Sequence, residues 1–246
     1  MIRTKRGLIL VGLLTLAIGL VTMLPARVAY HVAAPPGVAV AGIDGTAWNG
    51  TAEEASVGGL YLRDLQWKLK PLALFTGQVA YTVSAKPVSG FLDADVSVGV
   101  SGVLTLSNLN AALPLDMFAD AAGVRGLKGN ASFAFERLEL TDGIASAADG
   151  TIQIANLIVP LVDQNSLGGY KAEFFTQNNG VTASVEDTDG VVDLAGSLQV
   201  KADRSYEFLA QVVVKPDTPE NVRRQLKFLP PPNERGQQEI RLEGIL

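Results

Sequence analysis

The chain has 246 residues, among them 25 Gly, 12 Pro, one His and no Cys, and its formal net charge is −5. The absence of Cys excludes disulfides, thiolate nucleophiles, Cys-ligated zinc and iron–sulfur clusters, and a single His excludes a multi-His metal site. The negative charge gives no indication of nucleic-acid binding, which relies on basic side chains that neutralise phosphates. Most of the side-chain chemistry used by enzymes is therefore absent or isolated.

An uncharged apolar segment, residues 7–24, follows a basic N-terminus. A helix of that length would span about 27 Å, close to the hydrocarbon thickness of a bilayer. The segment predicts a single transmembrane helix, with residues 1–6 in the cytoplasm because basic residues accumulate on that side. The predicted anchor residues are Leu8, Leu13, Leu16, Leu20 and Leu24, and the predicted topology charges are Arg3, Lys5 and Arg6.

A cleaved signal peptide is the alternative interpretation of this segment. It too has a basic start and an apolar core, and Ala39-Val40-Ala41 could serve as a small-residue cleavage site. Signal-peptide cores are usually about 7–15 residues long, which favours a retained signal-anchor. Under both interpretations residues 25–246 are exported. Their 17 basic and 25 acidic residues do not favour adhesion to anionic lipid by charge alone.

Residues 25–42 are rich in Pro, Ala and Val and predict a connector. Proline lacks the backbone N–H of a helix interior and clashes with the preceding turn, so no helix is expected there. The residues that oppose a helix are Pro25, Pro35, Pro36 and Gly37.

Alternation of apolar and polar residues dominates residues 43–246 and is typical of half-buried strands. It is clearest over residues 78–84, 96–106, 192–202 and 206–214. Within residues 131–140 the apolar face changes parity, as a bulge or twist would produce. The predicted fold class is mainly β: a transmembrane helix followed by an antiparallel, elongated and curved sheet with a few short helices.

Helices are predicted at Pro71–Phe75, Pro114–Ala119 and Thr218–Leu229, the last of them stopped by the prolines at 230–232. A final strand at about residues 238–245 is expected to return to the sheet. Hairpin turns are predicted at Asp142-Gly143, Asp149-Gly150, Asn179-Gly180 and Asp189-Gly190.

Paired carboxylates could carry out glycoside hydrolysis, and the chain has several close pairs. Each pair has a Gly, Ser or Thr within three residues, a setting typical of turns or solvent-facing strands, so we interpret them as surface acids. The pairs are Glu53/Glu54, Asp93/Asp95, Asp116/Asp120 and Asp187/Asp189.

His31 has no acidic residue within ten positions, which favours a solvated side chain over a catalytic base. The sequence predicts no catalytic residue, metal ligand or cofactor.

The two tryptophans, Trp48 and Trp67, admit two interpretations. A buried indole can lock a sheet to a helix, and an exposed one can anchor a partner, since Trp is enriched in binding hot spots. The sequence does not separate these two roles.

Residues around both tryptophans resemble a known family. Ile43-Asp44-Gly45-Thr46-Ala47-Trp48-Asn49-Gly50-Thr51-Ala52 contains a Gly-Thr-x-Trp-x-Gly segment, and the second Trp follows 19 residues after the first, shortly before Pro71. The motif residues are Gly45, Thr46, Trp48, Gly50, Trp67 and Pro71. The order of these motif residues along the chain resembles that of type II secretion system protein N, a family also called general secretion pathway protein N. It departs from that family at residues 230–236, where the family tends to have a Gly-Pro-Asp-like turn.

The resemblance implies a single-pass inner-membrane protein with a periplasmic β-rich domain at residues 43–246. It implies a non-enzymatic accessory role in the export of folded proteins, by assembly of the machine or by a link to the outer-membrane secretin. The expected partners are inner-membrane lipid and other type II secretion subunits, the secretin among them, with no nucleic acid. The alternative is a β-groove protein that binds or transfers lipid in the cell envelope.

Overall fold

The structure is a computed structural model that describes residues 2–34, 37–57, 60–87, 89–120, 122–177 and 180–245. Helices are few within these residues. The α-helices are α1 (Ile2–Thr22), α2 (Ala26–Ala33) and α3 (Glu220–Leu226), and the 3₁₀ helices are η1 (Pro71–Thr76) and η2 (Leu115–Phe118).

The strands of the described residues are joined by short turns and by longer connections at 115–127, 159–169 and 215–237. They are β1 (Val38–Ala41), β2 (Asp44–Gly45), β3 (Asn49–Val57), β4 (Leu60–Leu69), β5 (Gln78–Lys86), β6 (Phe91–Gly99), β7 (Leu104–Pro114), β8 (Lys128–Thr141), β9 (Ile144–Ile158), β10 (Tyr170–Gln177), β11 (Gly180–Asp187), β12 (Val192–Lys201), β13 (Ser205–Val214) and β14 (Gln238–Ile245).

All of these strands belong to one open antiparallel sheet. From β3 to β14 each strand pairs with the next in the chain, while β1 and β2 both pair with the outer side of β3. The mainly β prediction and the antiparallel prediction are therefore confirmed. The described sheet does not close on itself, so β1 with β2 forms one edge and β14 forms the other.

Small side chains make up most of the core. Alanine accounts for 12 of the 22 buried apolar residues in the part of the chain that the structure describes. The larger buried side chains lie in separate clusters along the sheet, for example around Leu62, Leu115, Phe135 and Val212. A single sheet with so thin a core depends strongly on its backbone hydrogen bonds and on these local clusters.

The prediction of a helix-free connector is wrong at residues 26–33, where α2 forms. Pro25 directly precedes the helix with φ −63°, and at that position the missing N–H removes no helical hydrogen bond. The sheet also begins earlier than residue 43, because β1 starts at Val38.

Two predicted lengths differ from the structure. The alternation at 96–106 crosses a hairpin turn between Gly99 and Leu104, where Gly102 adopts a φ of +78°. Helix α3 ends at Leu226 instead of Leu229, because the Leu229 N–H bonds to the Leu226 carbonyl in a tighter turn.

One predicted turn is a strand. Asp149-Gly150 lies inside β9, where Gly150 lies so close to Phe135 that an added Cβ would be 2.6 Å from its Cα. Asp142-Gly143 is a turn as predicted, with φ values of 51° and 81°, and Asp189-Gly190 connects β11 to β12. Asn179 lies outside the described residues.

The predicted change of parity within residues 131–140 is confirmed. The pairing of β8 with β9 shifts register between Phe135 and Arg137, and again between Glu139 and Leu140. An extra residue in one strand turns the following side chains to the other face, as a bulge does. The final strand and the strict alternation of burial along β12 also match the sequence pattern.

Helix α2 covers the first edge of the sheet. The Tyr30 hydroxyl donates to the Val38 carbonyl at 3.0 Å and accepts from the Val40 N–H at 3.2 Å. One helical turn earlier, Arg27 Nε donates to the Ile43 carbonyl at 2.7 Å. Because alternate residues of a strand direct their backbone groups to the same side, the two Tyr30 contacts occupy the side of β1 that faces away from β3. The edge is thereby protected from pairing with another chain.

We expect Tyr30→Phe to lower the free energy of unfolding by about 1 kcal/mol, because Val38 and Val40 lose their hydrogen-bond partner. We also expect concentration-dependent self-association through the uncovered strand. Urea unfolding and light scattering of the detergent-solubilised chain measure the two effects. Tyr61→Phe is the matched control, since Tyr61 is 64% exposed on an inner strand. Equal behaviour of the two variants would contradict the protective role of Tyr30.

Candidate functional site: the tryptophan junction

Both tryptophans bind backbone carbonyls at the end of the sheet that α1 reaches. Trp48 Nε1 donates to the Val21 carbonyl at 2.7 Å, and Trp67 Nε1 donates to the Thr46 carbonyl at 3.2 Å. Both side chains are half-buried. We call Val21, Thr46, Trp48, Gly50 and Trp67 the tryptophan junction, because together they connect the last turn of α1 to β3 and β4.

A tight turn between β2 and β3 presents Trp48 to the helix. The Thr46 N–H donates to the Asn49 carbonyl at 2.9 Å, and the Thr46 hydroxyl accepts from the Asn49 N–H at 3.1 Å. The turn also binds the segment after α1: the Ala47 N–H donates to the Leu24 carbonyl at 2.9 Å, and Pro25 forms a β-bridge with Thr46. The helix end is therefore held by several backbone contacts as well as by the indole.

Both glycines of the Gly-Thr-x-Trp-x-Gly segment are required, because other atoms lie where a side chain would begin. Gly45 has a φ of +83°, and an added Cβ would lie 2.6 Å from the Asn49 carbonyl oxygen. At Gly50, an added Cβ would lie 2.5 Å from Cζ2 of Trp67. The Trp67 ring thus lies directly over Gly50, its partner across the β3–β4 pair.

Pro71 lies next to the junction but outside it. The Leu69 N–H donates to the Trp48 carbonyl at 2.7 Å, and Pro71 follows as the first residue of η1. A proline at the first position of a helical turn has the φ that the turn needs and loses no hydrogen bond. Five of the six motif residues therefore meet in space, and Pro71 begins the turn that leaves the junction.

The predicted anchor residues lie along α1, except Leu24, which follows the last helical residue, Thr22. Leu13, Leu16 and Leu20 are exposed, and Leu24 is half-buried beside the junction. The side chains of Arg3, Lys5, Arg6 and Leu8 lie outside the part of the chain that the structure describes. Among the helices of the described residues, none satisfies the combined length and hydropathy required for a membrane span.

The acidic pairs do not assemble into a site. Asp95 accepts from Lys70 at 2.7 Å, from Thr82 and from Asn108. Burial by itself would raise the pKa of the Asp95 carboxyl, but these hydrogen bonds outweigh it and lower the pKa. His31 is exposed on α2. Over the described ranges, no three His, Asp or Glu side chains come together as metal ligands.

The interpretation of Asp187 as a surface acid is wrong, because its carboxylate is largely covered in an ion pair with a half-buried lysine. Asp187 accepts from Lys215 Nζ at 2.7 Å and from the Leu194 N–H at 2.8 Å, and Lys215 also donates to the Gly190 carbonyl. Burial would raise the pKa of the Asp187 carboxyl, but the Lys215 and backbone donors lower it. The two residues are 28 positions apart, so no local spacing indicates the pair. Their juxtaposition follows from the order of β11, β12 and β13.

A hollow of about 460 Å³ lies on strands β7 to β10. Phe135 and Phe174 line it, together with three carboxylates, Glu136, Asp149 and Glu173. Burial of carboxylates against an acyl chain would remove their hydration without compensation, so this lining does not favour an apolar ligand.

The fold and the junction define a class of protein: an open antiparallel meander that holds an N-terminal apolar helix at one end by tryptophan hydrogen bonds. The sequence profile of the family described as Type II secretion system (T2SS), protein N matches residues 36–241. The chain belongs to this family. The prediction made from the Gly-Thr-x-Trp-x-Gly segment is therefore confirmed.

A relative illustrates the similarity. The chain is 28% identical to Type II secretion system protein N of Vibrio cholerae serotype O1, over 92% of the length of each protein. No solved structure is detectably similar to the chain. The family makes the chain a component of type II secretion, associated with the cell envelope and with other subunits of that machinery.

Proposed function

We propose that the chain is a non-enzymatic accessory subunit of the type II secretion system, anchored in the inner membrane by α1. Its sheet lies in the periplasm, where it helps to assemble the machine or links the inner membrane to the outer-membrane secretin. One observation carries the proposal: an exposed apolar helix is attached to one end of the sheet by the tryptophan junction.

The exposure of α1 supports the anchor. Val11, Leu13, Leu16, Ile18 and Leu20 are each at least 55% exposed, although they point in different directions around the helix. A helix in water is expected to bury an apolar stripe against its own protein. A helix that is apolar on all sides and unpacked is suited to lipid. Arg3, Lys5 and Arg6, near the start of α1, favour a cytoplasmic N-terminus.

The open edge of the sheet supports a partner-binding role. The β1 edge is covered by α2, whereas β14 pairs only with β13 in the described sheet. Leu242 and Ile245 on β14 are 55% and 80% exposed. A free strand edge binds an extended segment of another protein by main-chain hydrogen bonds, while exposed side chains supply specificity.

The anchor is tested by the double variant Leu13→Arg/Leu16→Arg. An Arg at the centre of a membrane helix costs about 3 kcal/mol, so two should transfer most of the chain from the membrane fraction to the soluble fraction. Leu161→Arg is the control, because Leu161 is 75% exposed in the β9–β10 connection at the opposite end of the sheet. Retention of the double variant in alkali-washed membranes would contradict the anchor.

The subunit role is tested by deletion and by crosslinking. Loss of the gene should reduce export of folded proteins through the outer membrane, and the wild-type chain should restore it. A photoreactive residue at Leu242 should crosslink to another type II secretion subunit, whereas one at Tyr61, on an inner strand, should not. Normal secretion without the chain would contradict the role, and equal crosslinking from both positions would contradict the β14 edge.

A further inference from the structure

We propose that η1 and the β6–β7 turn form a second membrane contact, which inserts into the headgroup region of the bilayer that holds α1. This inference rests on the proposed anchor and goes beyond it, because it places a specific end of the sheet on the lipid surface. We call this end, residues 70–77 and 99–103, the apolar tip.

The apolar tip exposes large side chains that nothing in the described chain covers. Leu72 and Phe75 of η1 are 78% and 88% exposed, and no residue of η1 is buried. Val100 in the β6–β7 turn is 98% exposed. Single exposed apolar residues are common on soluble proteins, but adjacent exposed Leu, Phe and Val at one end mark an interaction surface.

Hydrogen bonds place the apolar tip beside the end of α1. The Leu69 N–H donates to the carbonyl of Trp48, whose indole binds Val21. Gln78, just after η1, pairs with Gly99, just before the β6–β7 turn. Adjacent strands are about 4.8 Å apart, so the three strand spacings from β3 to β6 put Val100 within about 15 Å of the junction. The last turn of α1, η1 and the β6–β7 turn therefore lie at the same end of neighbouring strands.

Other turns at this end of the sheet are polar. The β8–β9 turn contains Asp142-Gly143, and the β12–β13 turn contains Asp203 and Arg204. Among the turns at this end of the sheet, large exposed apolar side chains therefore lie in η1 and the β6–β7 turn, although Leu161 and Phe228 are similarly exposed at the opposite end. This distribution is expected if the sheet meets the membrane only near its anchor.

Local charge favours a lipid surface over an apolar protein partner. Lys68 and Lys70 directly precede η1, although Lys70 also pairs with Asp95, and residues 65–92 contain three Lys and no acidic residue in a chain whose net charge is −5. Lys68, Lys70 and Leu72 line a hollow of about 510 Å³ beside η1. Basic side chains next to inserted apolar ones match an anionic headgroup above acyl chains. The net charge of the exported part is negative and therefore does not reveal this basic region.

Spin labels on single cysteines test the contact. The native chain has no Cys, so Phe75→Cys, Leu16→Cys and Phe228→Cys each provide one labelling site. Phe228 is the control, since it is 86% exposed after α3, at the opposite end of the sheet. Each full-length variant is reconstituted into vesicles of phosphatidylethanolamine and phosphatidylglycerol. Collisions of the label are then measured with oxygen, which concentrates in lipid, and with a water-soluble nickel chelate.

We expect the label at position 75 to collide with the nickel chelate about tenfold less than the label at position 228. Tryptophan fluorescence confirms that each variant is folded. A label at position 16 in lipid with a label at position 75 in water would overturn the inference and leave the anchor intact. A label at position 16 in water would overturn the anchor, and position 75 would still decide the membrane contact. If the label at position 75 lies equally deep in vesicles with and without phosphatidylglycerol, the proposed contact of Lys68 and Lys70 with anionic headgroups is contradicted.

Discussion

Gly50→Ala is expected to lower the free energy of unfolding by about 2 kcal/mol and to change the tryptophan emission of the folded chain. An added Cβ would lie 2.5 Å from Cζ2 of Trp67 and 2.6 Å from the Asp44 carbonyl oxygen. Both neighbours must shift, so the indole leaves its place over β3 and the Asp44 carbonyl of β2 moves away. Both changes disturb the Thr46 carbonyl that Trp67 binds, and Thr46 is part of the turn that holds α1.

Gly99→Ala is the matched control for this prediction. Gly99 is also a strand glycine without a positive φ, and its added Cβ would meet only Ser101 Oγ, at 3.7 Å. We expect a change within about 0.5 kcal/mol for Gly99→Ala. Urea unfolding followed by tryptophan fluorescence measures both variants, because the chain has only two tryptophans and both belong to the junction. Equal stability of the two variants would show that the junction tolerates displacement of Trp67.

Asp187→Ala is expected to lower the free energy of unfolding by about 2 kcal/mol at pH 7. The Asp187 side chain is 10% exposed, and its removal leaves the Leu194 N–H and Lys215 Nζ without their acceptor. Asp193→Ala, an exposed carboxylate on the adjacent strand, is the control and should change stability little. Similar losses in both variants, measured by urea unfolding, would contradict the structural role of the pair.

The charge of Asp187 also predicts how stability depends on pH. Its pKa is lowered in the folded chain, so the unfolded chain binds the proton more readily. The carboxylate therefore contributes stability at pH values above its unfolded pKa, near 4, and that contribution is lost as pH falls through the lower folded pKa. The difference in stability between wild type and Asp187→Asn should stay constant above about pH 5 and shrink below about pH 4. A difference that persists undiminished at acid pH would contradict this account.

Local pattern was sufficient wherever one face of a strand is buried and the other is solvated. The alternation at 206–214 and the final strand at 238–245 correspond closely to β13 and β14, because a period of two is imposed by the pleat itself. The same alternation continued across the β6–β7 turn, where Gly102 reverses the chain without interrupting the apolar pattern. When apolar residues stay at every second position through a hairpin turn, the alternation does not show where one strand ends and the next begins.

Bulges were only partly predictable. Asp64, Asn108 and Asn156 have φ values of 50°, 51° and 53°, and each lies where the pairing of its strand shifts register. Asn and Asp tolerate the left-handed region better than other residues with side chains, so a polar Asx inside an apolar alternation is a usable signal. The change of parity at 131–140 was visible because large apolar residues marked both faces.

The sequence by itself determined the compartment hypothesis, the strand content and the family, because an uncharged helix-length segment, a period of two and a tryptophan motif are all local features. Only the tertiary structure decided which contacts stabilise a chain that has one His and no Cys. It brought Asp187 to Lys215, covered the β1 edge with Tyr30, left β14 open in the described sheet and put η1 at the same end of the sheet as the last turn of α1. Each of these depends on the order and register of the paired strands, which the pattern within a single strand does not specify.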